Sequence, residues 1–172
     1  TPSPPGLVSR QMDDLCRWYD TLSADPEIDP FLLMAATVLD FTCIHPFADG
    51  NGRVSRPLNT LLSYKAGFEL VRYVAIEREI YATKAGYYWA LTESSREWHR
   101  GGHRWRFWLE YLAEVYATAY RRLFEQIETQ SAPGYKAEAV RTAVFQAGSR
   151  FTRSQILQAL PAVSYQTVDK VL

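Results

Sequence analysis

Apolar residues recur every three or four positions along this chain, and no stretch of any length alternates in the manner of a strand. Met12, Leu15, Tyr19 and Leu22 predict a helix from about Ser9 to Leu22, after an extended opening, Thr1-Pro2-Ser3-Pro4-Pro5-Gly6. From Phe31, the series Leu32, Ala36, Leu39 and Cys43 is the stripe of a buried helix. That helix should stop near Ile44, because His45 precedes Pro46 and a residue before proline is biased away from helix. Leu58, Leu61 and Leu62 predict the next, with Gly67 as its C-terminal cap.

Further helices are predicted around Glu77 to Ser94 and from about Trp105 to Gln130. The second has the clearest stripe: Trp105, Trp108, Leu112, Val115, Ala119, Leu123 and Ile127, which reads as core packing. Ser131-Ala132-Pro133-Gly134 reads as a linker, followed by three short helical segments. The pattern is all-α, with one domain over 1–130 and a small appended segment over 131–172.

Composition narrows the classes. Of 172 residues, 47% are apolar and 22% charged, the profile of a globular domain. Lys plus Arg and Asp plus Glu are both 19, so no net charge draws the chain to nucleic acid or membrane, and anion binding must come from local arrangement. No apolar run is long enough to span a bilayer. The two cysteines, Cys16 and Cys43, fall in helical patterns and read as buried free thiols of a cytoplasmic protein.

The chemistry is concentrated in one stretch, His45-Pro46-Phe47-Ala48-Asp49-Gly50-Asn51-Gly52-Arg53-Val54-Ser55-Arg56. Gly50, Asn51 and Gly52 tolerate positive φ, so the backbone can curl and present several N–H groups to an anion. The curl opens onto a helix N-terminus, whose partial positive charge adds to the attraction. Arg53 and Arg56 sit on the first turn of that helix, where the dipole favours acidic side chains; bound phosphate would resolve the conflict. Asp49 offers one hard carboxylate, which suits Mg²⁺ that takes its other ligands from phosphate and water. His45, at the entrance, can accept a proton from a hydroxyl. Base, metal ligand, anion nest and two cationic clamps point to phosphoryl or nucleotidyl transfer.

The stretch matches the signature His-x-Phe-x-Asp/Glu-Gly-Asn-Gly-Arg-x-x-Arg at every fixed position, and on it the chain resembles the Fic enzymes. That resemblance implies an all-α Fic bundle with the active loop between two core helices, transferring AMP from Mg-ATP to a Ser, Thr or Tyr hydroxyl of a target protein. In it His45 is the base and Phe47 an apolar anchor of the loop. Asp49 holds Mg²⁺, Asn51 orients the α-phosphate, Gly50 and Gly52 form the nest, and Arg53 and Arg56 hold the β- and γ-phosphates. Tyr87-Tyr88-Trp89-Ala90-Leu91 resembles the helix beside the adenine pocket of that family, which puts Tyr87 and Tyr88 near the base. His99 and His103 flank two glycines without ligand-spaced partners and read as loop residues.

Three departures accompany the resemblance. Pro57 follows the second arginine and is expected to bend the helix. Neither an inhibitory Ser/Thr-x-x-x-Glu helix nor a target-aligning β-hairpin precedes the loop, so the chain is expected to be a piece of a longer protein. Residues from about Lys136 to Leu172 resemble the helix-turn-helix part of a winged-helix module, with Ser154 to Leu160, a turn at Pro161-Ala162-Val163, and a recognition helix from Ser164. Only Lys170 is basic on that last helix, beside Asp169; Arg141, Arg150 and Arg153 are left to touch phosphates. This weighs for packing or a homodimer and against DNA. The alternatives are a related enzyme that removes AMP or uses another donor, and a nucleotide-sensing DNA-binding regulator.

Overall fold

The computed structural model describes residues 2–131, 134–148 and 151–172. Among them there are helices and no strand, and no helix is long and apolar enough to cross a membrane. The chain forms two compact units, Thr1–Arg121 and Arg122–Leu172.

In the first unit, helix α1 (Pro5–Ser23) begins earlier than the apolar spacing predicts. Pro5 stands at its first position, where a missing N–H costs nothing and the fixed φ already suits a helix. Helix α2 (Pro30–Ile44) is capped by the Asp29 carboxylate, which accepts from the N–H groups of Phe31 and Leu32. Its buried surface is much wider than the predicted stripe. Leu33, Met34, Ala35, Val38, Leu39, Phe41, Cys43 and Ile44 are all buried, whereas Leu32 is exposed. α1, helix α3 (Asn51–Lys65) and helix α5 (Lys84–Ser95) pack against α2, which makes it the centre of this core. The thiols differ: Cys43 is buried, and burial, aided by the nearby Asp40 charge, pushes it up to about 12. Cys16 is exposed, which corrects its reading as a buried thiol.

The predicted helix over 77–94 is two helices, α4 (Ile76–Ala82) and α5, broken at Thr83. Helix α6 (Arg106–Ser131) buries Trp108, Leu112, Val115, Tyr116 and Ala119. The ends of its predicted stripe, Trp105 and Ile127, are exposed. The Trp108 indole N–H donates to the Ala35 carbonyl at 2.9 Å, locking α6 to α2. A buried polar knot fixes α3: Asn59 Nδ2 donates to the Tyr116 hydroxyl at 3.0 Å, which also bonds Ser63, while Ser63 Oγ bonds the Asn59 carbonyl at 2.6 Å. These bonds tie α3 to α6, with Asn59 Oδ1 buried and without a partner among the described residues. α3 runs through Pro57 as one element and ends where Gly67, at φ 83°, follows the cap residue Ala66.

The second unit takes in the last turns of α6 and helices α7 (Tyr135–Ala147), α8 (Arg153–Ala159) and α9 (Tyr165–Val171). Val140, Ile156, Val163 and Val168 form its core. Thr152 and Gln155 make a capping box on α8, and Ser164 caps α9 by accepting from the Thr167 N–H. α8 and α9 fall on short helical segments predicted from the sequence, with a turn at 160–163 between them. Ser131 still lies in α6, while Ala132 and Pro133 of the expected linker, and Arg150, are outside the described residues. Arg153 bonds Asp169 and Tyr165, and Arg141 bonds Glu138.

Asp40 on α2 accepts from the Trp98 indole N–H at 2.7 Å. Burial raises its pKa above the ordinary 3.8, with the Trp98 bond and His103 pulling the other way. The folded chain therefore holds this proton at pH values where the unfolded chain has lost it. The charged carboxylate costs stability above that window, and stability recovers as pH falls through it. Asp40→Asn is expected to raise the unfolding midpoint at neutral pH, with the gain shrinking as pH approaches the unfolded value. Urea denaturation at several pH values checks this; a gain that does not change with pH would contradict it.

Candidate active site

Two backbone positions of positive φ build the site. α2 ends at His45, which adopts the left-handed conformation (φ 56°, ψ 60°) and donates its N–H to the Phe41 carbonyl at 3.0 Å. A residue other than glycine pays about 1–2 kcal/mol for that conformation, so the surrounding turn must enforce it. Gly50, at φ 90°, is the N-cap of α3 and accepts from Arg53 and Val54 at 2.8 and 3.0 Å. It is the one glycine of the loop whose φ requires glycine; Asn51 and Gly52 are simply the first residues of α3. The curl is thus narrower than the residue types alone predict. No side chain caps α3, so the N–H groups of its first residues lack helical partners and point out of the helix end.

Asn51 locks this turn. Its side chain is buried; Oδ1 accepts from the Phe47 N–H at 3.0 Å and Nδ2 donates to the Phe47 carbonyl at 2.6 Å. The residue expected to orient a phosphate is here the clasp of the loop. Phe47 is half exposed and touches the buried Phe41 with ring centroids 6.4 Å apart, so it anchors the loop by one side only.

The charged groups surround the same turn. Asp49 is exposed, with Oδ1 accepting from the Gly50 N–H and Oδ2 from Arg53 Nη2, each at 2.6 Å. Among the described residues no carboxylate pairs with Arg56. His45 Nδ1 lies 3.3 Å from the Thr42 carbonyl. A carbonyl only accepts, so in the neutral ring Nδ1 carries the hydrogen and Nε2 is left with its lone pair. An open cleft of about 340 Å³ is lined by His45, residues 48–53 and Arg56, bringing together every loop residue singled out by sequence except Phe47.

Two cavities adjoin the ends of this cleft. One, of about 240 Å³, shares His45 and is lined by Tyr88, Leu91, Thr92 and Ser95. The other, of about 360 Å³, shares Arg56 and is lined by Tyr81, Lys84, Tyr87 and Tyr88. Tyr88 is exposed and borders both. Tyr87 is a core residue, edge-on to Tyr88, Trp108 and Tyr111. Burial raises the pKa of its hydroxyl, with Ser55 and the Arg56 charge pulling the other way. Leu91 belongs to the stretch quoted from the sequence, whereas Thr92 and Ser95 were not singled out; their spacing from Tyr88 along α5 is the signal that could have found them. His99 also borders the first cavity, whereas His103 lies near Asp40. No group of three or more His, Cys, Asp or Glu side chains fit to hold a metal occurs among the described residues. Any metal here would rest on Asp49 and on ligands brought by phosphate and water, as one exposed carboxylate allows for Mg²⁺.

Residues 1–63 match the Fic/DOC family model, and the match covers α1, α2, the loop and most of α3. Among curated proteins, the protein adenylyltransferase fic-1 of Caenorhabditis elegans is 35% identical over 84 residues, 48% of this chain and 16% of that protein. The protein adenylyltransferase Fic of Nematostella vectensis is 40% identical over 68 residues, 39% of this chain and 16% of its own length. A Fido domain-containing protein of Dictyostelium discoideum is 30% identical over 77 residues, 45% of this chain and 54% of that protein. The chain therefore spans a small part of the adenylyltransferases and about half of the Fido protein.

The Asn51 clasp has a measurable consequence. Asn51→Ala leaves the Phe47 N–H and carbonyl without their partner and is expected to lower stability by about 1–3 kcal/mol. An unchanged urea midpoint would show that the loop does not depend on the clasp.

Proposed function

We propose that this chain is the catalytic segment of a protein adenylyltransferase, moving AMP from ATP to a Ser, Thr or Tyr hydroxyl of a target protein. The observation that carries the reading is the His45 ring. Its Thr42 contact leaves Nε2 as a proton acceptor at one end of a cleft whose wall is a helix N-terminus and whose far end is Arg56. The adenylyltransferase relatives support the same reading.

The order of groups along the cleft sets the donor's direction. The attacked α-phosphate must lie beside His45, so the β- and γ-phosphates run toward Arg53 and Arg56. The nucleoside then leaves by the His45 end, toward the cavity of Tyr88, Leu91, Thr92 and Ser95, where Tyr88 offers a face to the base. His45 Nε2 takes the proton of the acceptor hydroxyl as its oxygen bonds the α-phosphorus. The bond from that phosphorus to the β-phosphate bridging oxygen breaks, and pyrophosphate departs with the electron pair. The free N–H groups at the start of α3 and the two guanidinium groups stabilise charge that grows on the phosphate oxygens. Mg²⁺ on Asp49 would supply further charge neutralisation there.

The small second unit is assigned to packing or dimerisation rather than DNA recognition, since Arg141 and Arg153 are already paired within it. A cytoplasmic location fits an ATP-dependent reaction on protein targets.

ATP labelled at the α-phosphate is expected to label protein in the presence of Mg²⁺, and ATP labelled at the γ-phosphate is not. His45→Ala should reduce labelling about 10²- to 10⁴-fold. Arg56→Ala should reduce it about 10- to 100-fold by removing a charged hydrogen-bond donor from phosphate. Transfer of the γ-label would replace adenylyl transfer by phosphorylation, and full activity in His45→Ala would remove the proposed base.

A further inference from the structure

Two of the donors that would grip a polyphosphate are already taken, and one carboxylate takes both. Asp49 Oδ1 accepts from the Gly50 N–H and Oδ2 from Arg53 Nη2, both at 2.6 Å. The Arg53 side chain folds back to do this: a side-chain carbon placed on Gly50 would lie 3.4 Å from Nη2 and 3.6 Å from Nε of Arg53. The guanidinium thus lies across the mouth of the turn. A carboxylate held by a backbone N–H and one guanidinium nitrogen occupies donors that a phosphate oxygen would use.

We propose that the Asp49 carboxylate is a built-in occupant of the phosphate site, and that a divalent cation is needed to draw it off and release Gly50 N–H and Arg53 to the donor. This rests on the reading of the loop as a nucleotide site. It gives Asp49 two exclusive partners: the loop's own anion donors when the site is empty, and the cation when the donor arrives. The donor is therefore taken as a metal–polyphosphate complex, and metal-free polyphosphate must compete with Asp49. Arg56 stands outside the exchange, since no carboxylate among the described residues holds it. It can meet the far end of the polyphosphate first.

Both side chains are largely exposed, at 88% for Asp49 and 72% for Arg53, so the self-contact is weak enough to exchange. Exposed ion pairs of this kind correspond to up to about a fivefold effect.

The test is a mutant cycle on ATP affinity, read by NMR titration of the full chain in EDTA and repeated with Mg²⁺. Without metal, Asp49→Ala is expected to bind ATP about three- to fivefold more tightly than the unaltered chain. In an Arg53→Ala background the same substitution should give a clearly smaller gain, because only the Gly50 N–H is then released. With Mg²⁺ the sign reverses, and Asp49→Ala binds more weakly. An equal gain in both backgrounds would mean plain charge repulsion by Asp49 and would overturn the proposal, as would no gain at all. If no variant binds ATP, with or without Mg²⁺, the nucleotide reading fails and this inference with it.

Discussion

The site depends on a backbone reversal at the left-handed Gly50, which starts α3 directly after a loop closed by Asn51. Without that reversal the chain leaving α2 at His45 could not bring the first turn of α3 back beside the imidazole. The clasp from Asn51 to Phe47 uses both ends of one amide, so loop closure and helix start are a single event. The knot of Asn59, Ser63 and Tyr116, two turns further along, then fixes where α3 points. Through it the buried side of the helix sets the direction of its exposed N-terminus.

Electrostatically the start of α3 is arranged against its own stability. It has no acidic residue in its first turn, carries Arg53 there and Arg56 in the turn that follows, and has no side-chain cap. A helix placed for stability alone would carry the opposite charges. Pro57 adds a further cost by leaving the Arg53 carbonyl without its helical donor. The helix survives because Ser55, Asn59, Leu62 and Ser63 are buried on its other side. Local conflicts held in place by tertiary packing are what a binding site looks like in a folded chain.

Much of this was legible in the sequence, for reasons that can be named. The helices were readable wherever one face is buried, and the end of α2 was set by the residue before Pro46. The loop was readable because its residue types are rare in combination. Reading failed where tertiary context overrode spacing. α2 is buried nearly all round, so its stripe at Leu32 pointed to the wrong side. The break at Thr83 carries neither glycine nor proline to announce it. Asn51 could not be recognised as a clasp, because its partner is backbone and backbone leaves no mark in the sequence. The Asp49–Arg53 contact follows an i, i+4 spacing that is visible in the sequence.

The most direct measurement is a crystal structure with Mg²⁺ and an ATP analogue that cannot be cleaved at the α-phosphate. The account predicts the α-phosphate beside His45 Nε2, the remaining phosphates on the N-terminus of α3 toward Arg56, and the base in the cavity of Tyr88 and Ser95. A triphosphate running the other way, with its γ-phosphate at His45, or bound away from the loop, would contradict it.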